Sequence, residues 1–387
     1  MDLRTLPDGL DPAQRCDERR TRMEQELDMD LSLLAESAAR IGHADEKNCE
    51  QMFGTVPVPV GYAGPLRVRF SDGMETSVHL PLATTEGALI ASVNRGCKAA
   101  SVAGVRVTSE LRGITRSVAW HTGKEAHLLA AALKESAAEW TAIAEATSGH
   151  LRILGFDIDQ ADGHVFLTLR ADTDEAMGMN MITIAAQAVG DWAAEHLCDG
   201  RARLVTVAAN VDSDKKPSLR TYERGRGHEV TAEVLLPDET IATILKSDAD
   251  TMLAVAKAKL EIGSELAGAI GRNLHAANII AALYLATGQD AAHVVEGSLS
   301  DTYVEQAEGG LKITIRCPAI LVGVRGGGTG LPAQAQCLAM LLNGKTALHR
   351  KTQLAESIGA AVLAGEISLL AAQASQSLAK AHAKMAR

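Results

Sequence analysis

Aromatic residues are scarce in this chain, 3% of 387 positions, although 47% of it is apolar. Helices in such a sequence have to meet through alanine and other small residues, and the apolar share suffices for a full core spread over two or three domains. Cysteine is sparse too, with six residues at 16, 49, 97, 198, 317 and 337 and no CxxC pair. That argues against a disulfide scaffold or a structural zinc site and for a reducing compartment, so a cytoplasmic location is expected. No Lys/Arg-rich tract offsets the net charge of −10, which argues against nucleic acid as a partner. The opening "MDLRTLPDGLDPAQRCDERR" lacks the apolar centre of a signal peptide. No stretch approaches the roughly 20 uninterrupted apolar residues that cross a bilayer, so a soluble protein without membrane contact is expected. The signatures GxGxxG and GxxxxGK[ST] are absent. No His/Cys/Asp cluster has ligand spacing, so no metal is expected.

What is present alternates in texture. Residues 13–47 read as helical, and 54–82 alternate apolar and polar residues between Gly/Pro turns, as strands do. Residues 118–206 hold a long helical run from Glu125 to Glu145, a strand pair around "HLRILGFDIDQADGHVFLTLRAD" and a helix from Ala176 to Leu197. That mixture suggests a small α+β module inserted into a larger domain. A polar loop, "DSDKKPSLRTYERGRGHE", leads to alanine-rich helix, then to the strand-like "LKITIRCPAILVGV", the run "RGGGTG" and two last helices.

Six features could carry chemistry, and each also has a plain structural reading. Glu86, the one carboxylate in "PLATTEGALIASVNRGCKAA", is by itself a first-turn acid with Thr84 or Thr85 as cap. Apolar surroundings would instead keep it protonated and suit a general acid. "DSDKKPS" is a solvated turn, or a loop fixed by Pro217 that aims Lys215 at an oxygen gaining negative charge. Asp290 caps "AAHVVEG", or is a buried carboxylate paired with another titratable group. "RGGGTG", at 325–330, exposes backbone N–H groups between strand and helix as a phosphate cradle does. "EAMGMNM" is core packing, or a place where Gly178 and Asn180 let a flat ring approach. His382, on the alanine-rich "SLAKAHAKMAR", is an exposed tail residue or an acid for a leaving group. Only their joint occurrence decides between the readings.

Together the stretches "NCEQMFGTVPVPVGYAGPL", "PLATTEGALIASVNRGCK", "EAMGMNM", "DKKPS", "HAANIIAALYLATGQDAA", "GGGTGLPAQAQCLAML" and "LAGEISLLAA" resemble the hydroxymethylglutaryl-CoA reductase family, in its order, from about residue 15 onward. The "DKKP" form is similar to the class I, biosynthetic type. The resemblance implies an α+β fold: an N-terminal helical segment (1–50) and a large HMG-CoA-binding domain (51–117 and 207–387, with a C-terminal flap from about 370). It also implies an inserted small ferredoxin-like, non-Rossmann domain for NADP(H) (118–206). It implies two hydride transfers from NADPH that yield mevalonate and coenzyme A, in a homodimer or higher homo-oligomer with sites between subunits.

By the same resemblance Lys215 stabilises the oxyanion, Glu86 donates a proton to the intermediate carbonyl, and Asp290 hydrogen-bonds both. His382 protonates the departing thiolate. Arg116, Asn210, Asp214, Lys216, Lys259, His275 and Asn278 hold the hydroxymethylglutaryl group or organise its pocket. Ser92, Asn94 and Arg95 lie toward coenzyme A. Glu175, Met177, Gly178, Met179, Asn180, His150, Arg152, Gly326, Gly327, Gly328 and Thr329 belong to the cofactor side. The chain departs from the family's pattern at Glu175 (usually Asp), Ala208 (usually Ser), Gly149 (often Arg), Arg325 (usually apolar) and Ala381 (a phosphorylated Ser in some relatives). Ala208 and Gly149 keep an NADH-preferring or mevalonate-oxidising homologue in view. A catalytically weak acyl-CoA-binding paralogue is the non-enzymatic alternative.

Overall fold

The computed structural model describes residues 2–35 and 37–375. His382 and Ala381 lie outside the described residues. Helix α1 (Pro12–Leu27) opens on a capping box: Asp11 accepts the Gln14 N–H, and the Gln14 side chain answers to the Asp11 N–H. It is shorter than the helical 13–47 expected. Asp28 turns left-handed at φ 50°, and only short turns follow, at Ser32–Leu34, Ala38–Ile41 and Ala44–Lys47.

Strands β1 (Val60–Arg69) and β2 (Glu75–Ala83) pair antiparallel, and α2 (Leu89–Ala103) returns the chain to β3 (Val105–His121). The 17-residue β3 is shared by two sheets. Its first half joins the order β2-β1-β3-β7-β9-β8, with β7 at Gly227–Pro237, β8 at Asp301–Ala307 and β9 at Gly310–Ile320. Its second half pairs antiparallel with β5 (His164–Asp172) and β6 (Arg203–Thr206), while β4 (Arg152–Ala161) pairs with β5.

Between those strands run α3 (Ala126–Glu135), α4 (Ala137–Ala146) and α5 (Met179–His196). The single helix expected from Glu125 to Glu145 is therefore broken, at Ser136, whose ψ of 19° leaves the helical range. Helix α5 begins three residues later than expected because Gly178, at φ 100°, stands just outside it. Apolar residues collect in two main cores. One lies under the first sheet; the other draws on positions from Ile114 to Ala202, with Ala319 and Leu321.

Helices α6 (Ala276–Thr287), α7 (Pro332–Leu341) and α8 (Arg350–Ala374) complete the larger layer. Glu356 and Glu366 interrupt the apolar run of α8, which by length and mean composition could cross a bilayer, but 94% of its apolar window is buried within the protein. Its two buried acids are satisfied by hydrogen bonds. Glu356 accepts from the Ser71 N–H and the Ser71 and Ser109 hydroxyls, and Glu366 from the Leu274 and His275 N–H groups and the Thr302 hydroxyl. Small residues let α2 lie close against α8: a Cβ on Gly96 would stand 1.8 Å from the Ala364 carbonyl oxygen. The three buried thiols, Cys97, Cys317 and Cys337, are unpaired, and burial raises the pKa of each.

Candidate active site

The loop after β6 is bent tightly. Asn210, Ser213 and Lys215 all take positive φ (62°, 53° and 57°), a region that disfavours side chains with a Cβ. Tertiary hydrogen bonds hold it so: the Ala209 N–H donates to the Ser117 carbonyl, and the Lys215 N–H donates to Glu296 Oε1 at 2.6 Å. The bend presents the Lys215 ammonium to Asp290, Nζ to Oδ2 at 2.8 Å. Asp290 also accepts the Ala292 N–H, so one side chain both caps and pairs, although it is exposed and not the buried carboxylate expected.

The pair stays ionised over a wide range. Its hydrogen bond to Asp290 raises the Lys215 pKa above 10.5. Partial burial pushes Asp290 upward, but Lys215, the Ala292 N–H and His293 outweigh it and hold the carboxyl below 3.8. The stability the pair contributes is therefore lost only as pH falls through Asp290's lowered value or rises through Lys215's raised one. Both side chains are more than a third exposed, so screening keeps the contribution small. Asp290→Asn, which retains a cap, should cost at most about 1 kcal/mol at neutral pH. Urea unfolding at pH 7 and at progressively more acid pH checks this, with the difference from wild type shrinking as pH falls through Asp290's lowered value.

Behind the pair lies a buried charge network. Arg226 (1% exposed) donates from Nη1 to Glu296 Oε1 at 2.7 Å and to Asp214 Oδ1 at 3.0 Å. Its Nε donates to Thr115 Oγ1, and its Nη2 to the Thr115 carbonyl and the Met179 sulfur. Arg116 lies 3.6 Å from both Asp212 and Asp214, and burial raises the Asp212 pKa. Asp214, His293 and Glu296 place ligand-type atoms within 4.8 Å of one another, a grouping the spacing of the sequence does not display. The Arg226 guanidinium already supplies the cation between two of them.

The cofactor-side segments also converge here. The N–H groups of Val324 and Arg325 donate to the Glu175 carbonyl, and a Cβ on Gly323 would lie 2.5 Å from the Met177 nitrogen. Arg325 and Glu175, two of the departures, form an exposed ion pair at 3.5 Å. Gly288, two residues before Asp290, abuts Gly328 so closely that a Cβ would fall 2.2 Å from the Gly328 oxygen. Beside this contact, Gly326 and Gly327 face open space, and Thr329 caps the turn through the Gly326 carbonyl at 2.6 Å. Met177, Met179 and Met181 pack on the smaller core, so "EAMGMNM" serves packing and placement together.

Other expected residues lie apart from the pair. Glu86 precedes α2 rather than standing in it, is exposed, and meets Thr84 only through its own N–H. Among the described residues no ion pair joins Glu86 to Lys215 or Asp290, so the dry setting expected for it is absent within one chain. Lys216 Nζ donates to the Asp214 carbonyl. His275 and Asn278 begin α6, with His275 Nε2 2.9 Å from the Gly365 oxygen, and Lys259 lies on the turn Lys257–Gly263. Ser92 and Arg95 bond to Ser368, and Asn94 accepts the Gly64 N–H, so all three tie α2 to its neighbours. His150 is held by Asp174 at 2.8 Å, and Arg152 Nη1 bonds to the Leu151 carbonyl. Sequence reasoning missed Asp212, Arg226, His293 and Glu296. The one signal was the D-x-x-H-x-x-E spacing that starts at Asp290.

The profile of the hydroxymethylglutaryl-coenzyme A reductase family matches residues 15–387. The 3-hydroxy-3-methylglutaryl-coenzyme A reductase of Methanothermobacter thermautotrophicus is 38% identical, over 95% of this chain and 92% of its own. That of Haloferax volcanii is 40% identical, over 89% and 86%. Among solved structures, the NADPH-bound class II enzyme of Streptococcus pneumoniae superposes with a TM-score of 0.71, covering 92% of this chain and 96% of its own at 20% identity. At that identity the likeness speaks for the fold.

Proposed function

The chain belongs to the hydroxymethylglutaryl-coenzyme A reductase family, and from that membership we propose how its side chains divide the work. It is an oxidoreductase that reduces 3-hydroxy-3-methylglutaryl-CoA to mevalonate and free coenzyme A with NADPH. The observation that carries the placement of the reacting centre is the Lys215–Asp290 pair, two residues from the contact between Gly288 and the glycine loop.

Each reduction turns a carbonyl oxygen into an alkoxide, so a cation and a proton donor must converge on it. Lys215 supplies the cation and Asp290 orients it. Glu86 supplies the proton, and its exposure in one chain fits a centre completed by a second copy. His382, beyond the described residues, protonates the thiolate of coenzyme A. Arg116 offers a buried Nε without a hydrogen-bond partner to the hydroxymethylglutaryl group, beside Asp214, Lys216 and Asn210. Lys259, His275 and Asn278 line the same group's pocket, and Ser92, Asn94 and Arg95 border coenzyme A.

When bound, the nicotinamide supplies the hydride. The residues fit such a group: Gly326 and Gly327 leave room where a side chain would intrude, and the strand bridge of Ala176 to Arg325 joins the "EAMGMNM" segment to the residue before them. We read residues 118–206 as the inserted ferredoxin-like domain that holds it. The β-α-β-β-α-β succession and the order β4-β5-β3-β6 support that reading. A homodimer is supported by the apolar, exposed run Phe53, Val56, Val58 and Val60. The cysteine usage supports the cytoplasm.

Following nicotinamide absorbance with 3-hydroxy-3-methylglutaryl-CoA tests the activity. NADPH is expected to be consumed at two per coenzyme A released, with NADH in a parallel arm. No oxidation of either by folded protein would overturn the assignment.

A further inference from the structure

Asp290, His293 and Glu296 recur every third residue along the turns that follow α6, and burial deepens along them. The Asp290 side chain is 36% exposed, whereas those of His293 and Glu296 are fully buried. His293 stands between the two carboxylates, with Nε2 3.7 Å from Asp290 Oδ2 and Nδ1 3.4 Å from Glu296. Neither His293 Nε2 nor Glu296 Oε2 has any closer partner among the described residues. The other Glu296 oxygen is saturated by the Arg226 guanidinium and by the N–H of Lys215.

These contacts close a circuit. It begins on the Lys215 ammonium, passes through Asp290, and crosses to His293 by a charge approach at 3.7 Å rather than a hydrogen bond. It continues through Glu296 back to the same lysine's N–H, 81 residues away in sequence from Glu296. We propose that Glu296 is a positioning residue for the reduction: it fixes the left-handed backbone of Lys215 and, through His293, seats the Asp290 carboxylate against the lysine's ammonium. Being fully buried, Glu296 touches no substrate. It acts by deciding where the ammonium stands, and Arg226 makes a charge tolerable at that depth. A charge-assisted bond to the N–H offsets a backbone shape that Lys215 would otherwise leave. Once the loop relaxes, the ammonium withdraws from the oxygen it must stabilise, and rate falls steeply with such displacement.

The inference rests on Lys215 acting at the reacting oxygen, so Lys215→Ala belongs in the same experiment. Steady-state rates with 3-hydroxy-3-methylglutaryl-CoA and NADPH are compared for Glu296→Ala and Glu296→Gln, with melting temperatures recorded alongside. Glu296→Ala is expected to lower kcat about 100-fold, as a misplacement near 1 Å does, with the KM for NADPH within about twofold of wild type. Glu296→Gln restores an acceptor to the Lys215 N–H and should recover about tenfold of that loss. A folded Glu296→Ala with kcat within about threefold of wild type overturns the proposal, as does an equal loss in both variants that follows melting temperature alone. Should the alanine variant not fold, Glu296→Gln and His293→Leu carry the test. A lowered kcat with unchanged KM for NADPH in both supports the proposal, and wild-type kcat in either overturns it. An active Lys215→Ala would overturn the role of the lysine itself. An inactive Lys215→Ala beside a normal Glu296→Ala removes only the positioning role.

Discussion

Lys215→Ala is expected to lower turnover by about 10³-fold, the upper range for removing one preorganised donor to a developing oxyanion. Both hydride transfers should suffer, because each makes an alkoxide at the same place. Lys215→Arg is expected to rescue little: a planar guanidinium cannot take the compact ammonium's position against Asp290 in a loop this bent. Stability should change little, since the Lys215 side chain is 42% exposed and its ion pair is screened. The measurement is single-turnover oxidation of NADPH with 3-hydroxy-3-methylglutaryl-CoA, and with mevaldehyde for the second transfer alone. Turnover within about threefold of wild type in either assay would remove Lys215 from the chemistry.

Arg226→Met should have the largest effect on stability. Methionine has similar reach but no charge, so Glu296 would lie fully buried with no cation, and Asp214 and Asp212 would lose one. Breaking a buried ion pair from one side costs about 3–5 kcal/mol. The loss should depend on pH with a definite sign. Burial already raises Asp212, and removing the guanidinium favours protonation of the acids around it in the folded state. The folded variant then binds more protons than the unfolded chain, so its stability falls as pH rises. Urea midpoints of variant and wild type should converge toward pH 5 or so and diverge toward about pH 8. Arg226→Met with Glu296→Leu should recover part of the loss, because no uncompensated charge remains at Glu296. A single variant as stable as wild type at both pH values would show that Arg226 does not compensate these acids.

Lys215 and Asp290 were legible because they sit in long stretches of specific sequence, "DKKPS" and "GQDAA". The structure places them 2.8 Å apart, although 75 positions separate them in the chain. Arg226 and Glu296 were not legible. "RGRGHE" and "VVEG" look like solvated turns, and nothing local says that each is buried against the other. The break at Ser136 escaped for a similar reason: the alanine-rich run has high helix propensity throughout, and two helices packing on one small sheet decided where it bends. Helix α8 shows the converse. Its composition would suit a bilayer, yet Glu356 and Glu366 find donors on β1–β2, β3 and the turn before α6.

By itself the sequence determined the family and the α+β class. These follow from local pattern and from long motifs, which the chain records directly. Tertiary structure alone decided which charges are buried, which are paired, and that the left-handed loop at Lys215 is pinned by Glu296. Burial and pairing arise from contacts between segments far apart in the chain, where the penalty for an isolated charge is met only by a partner from another element.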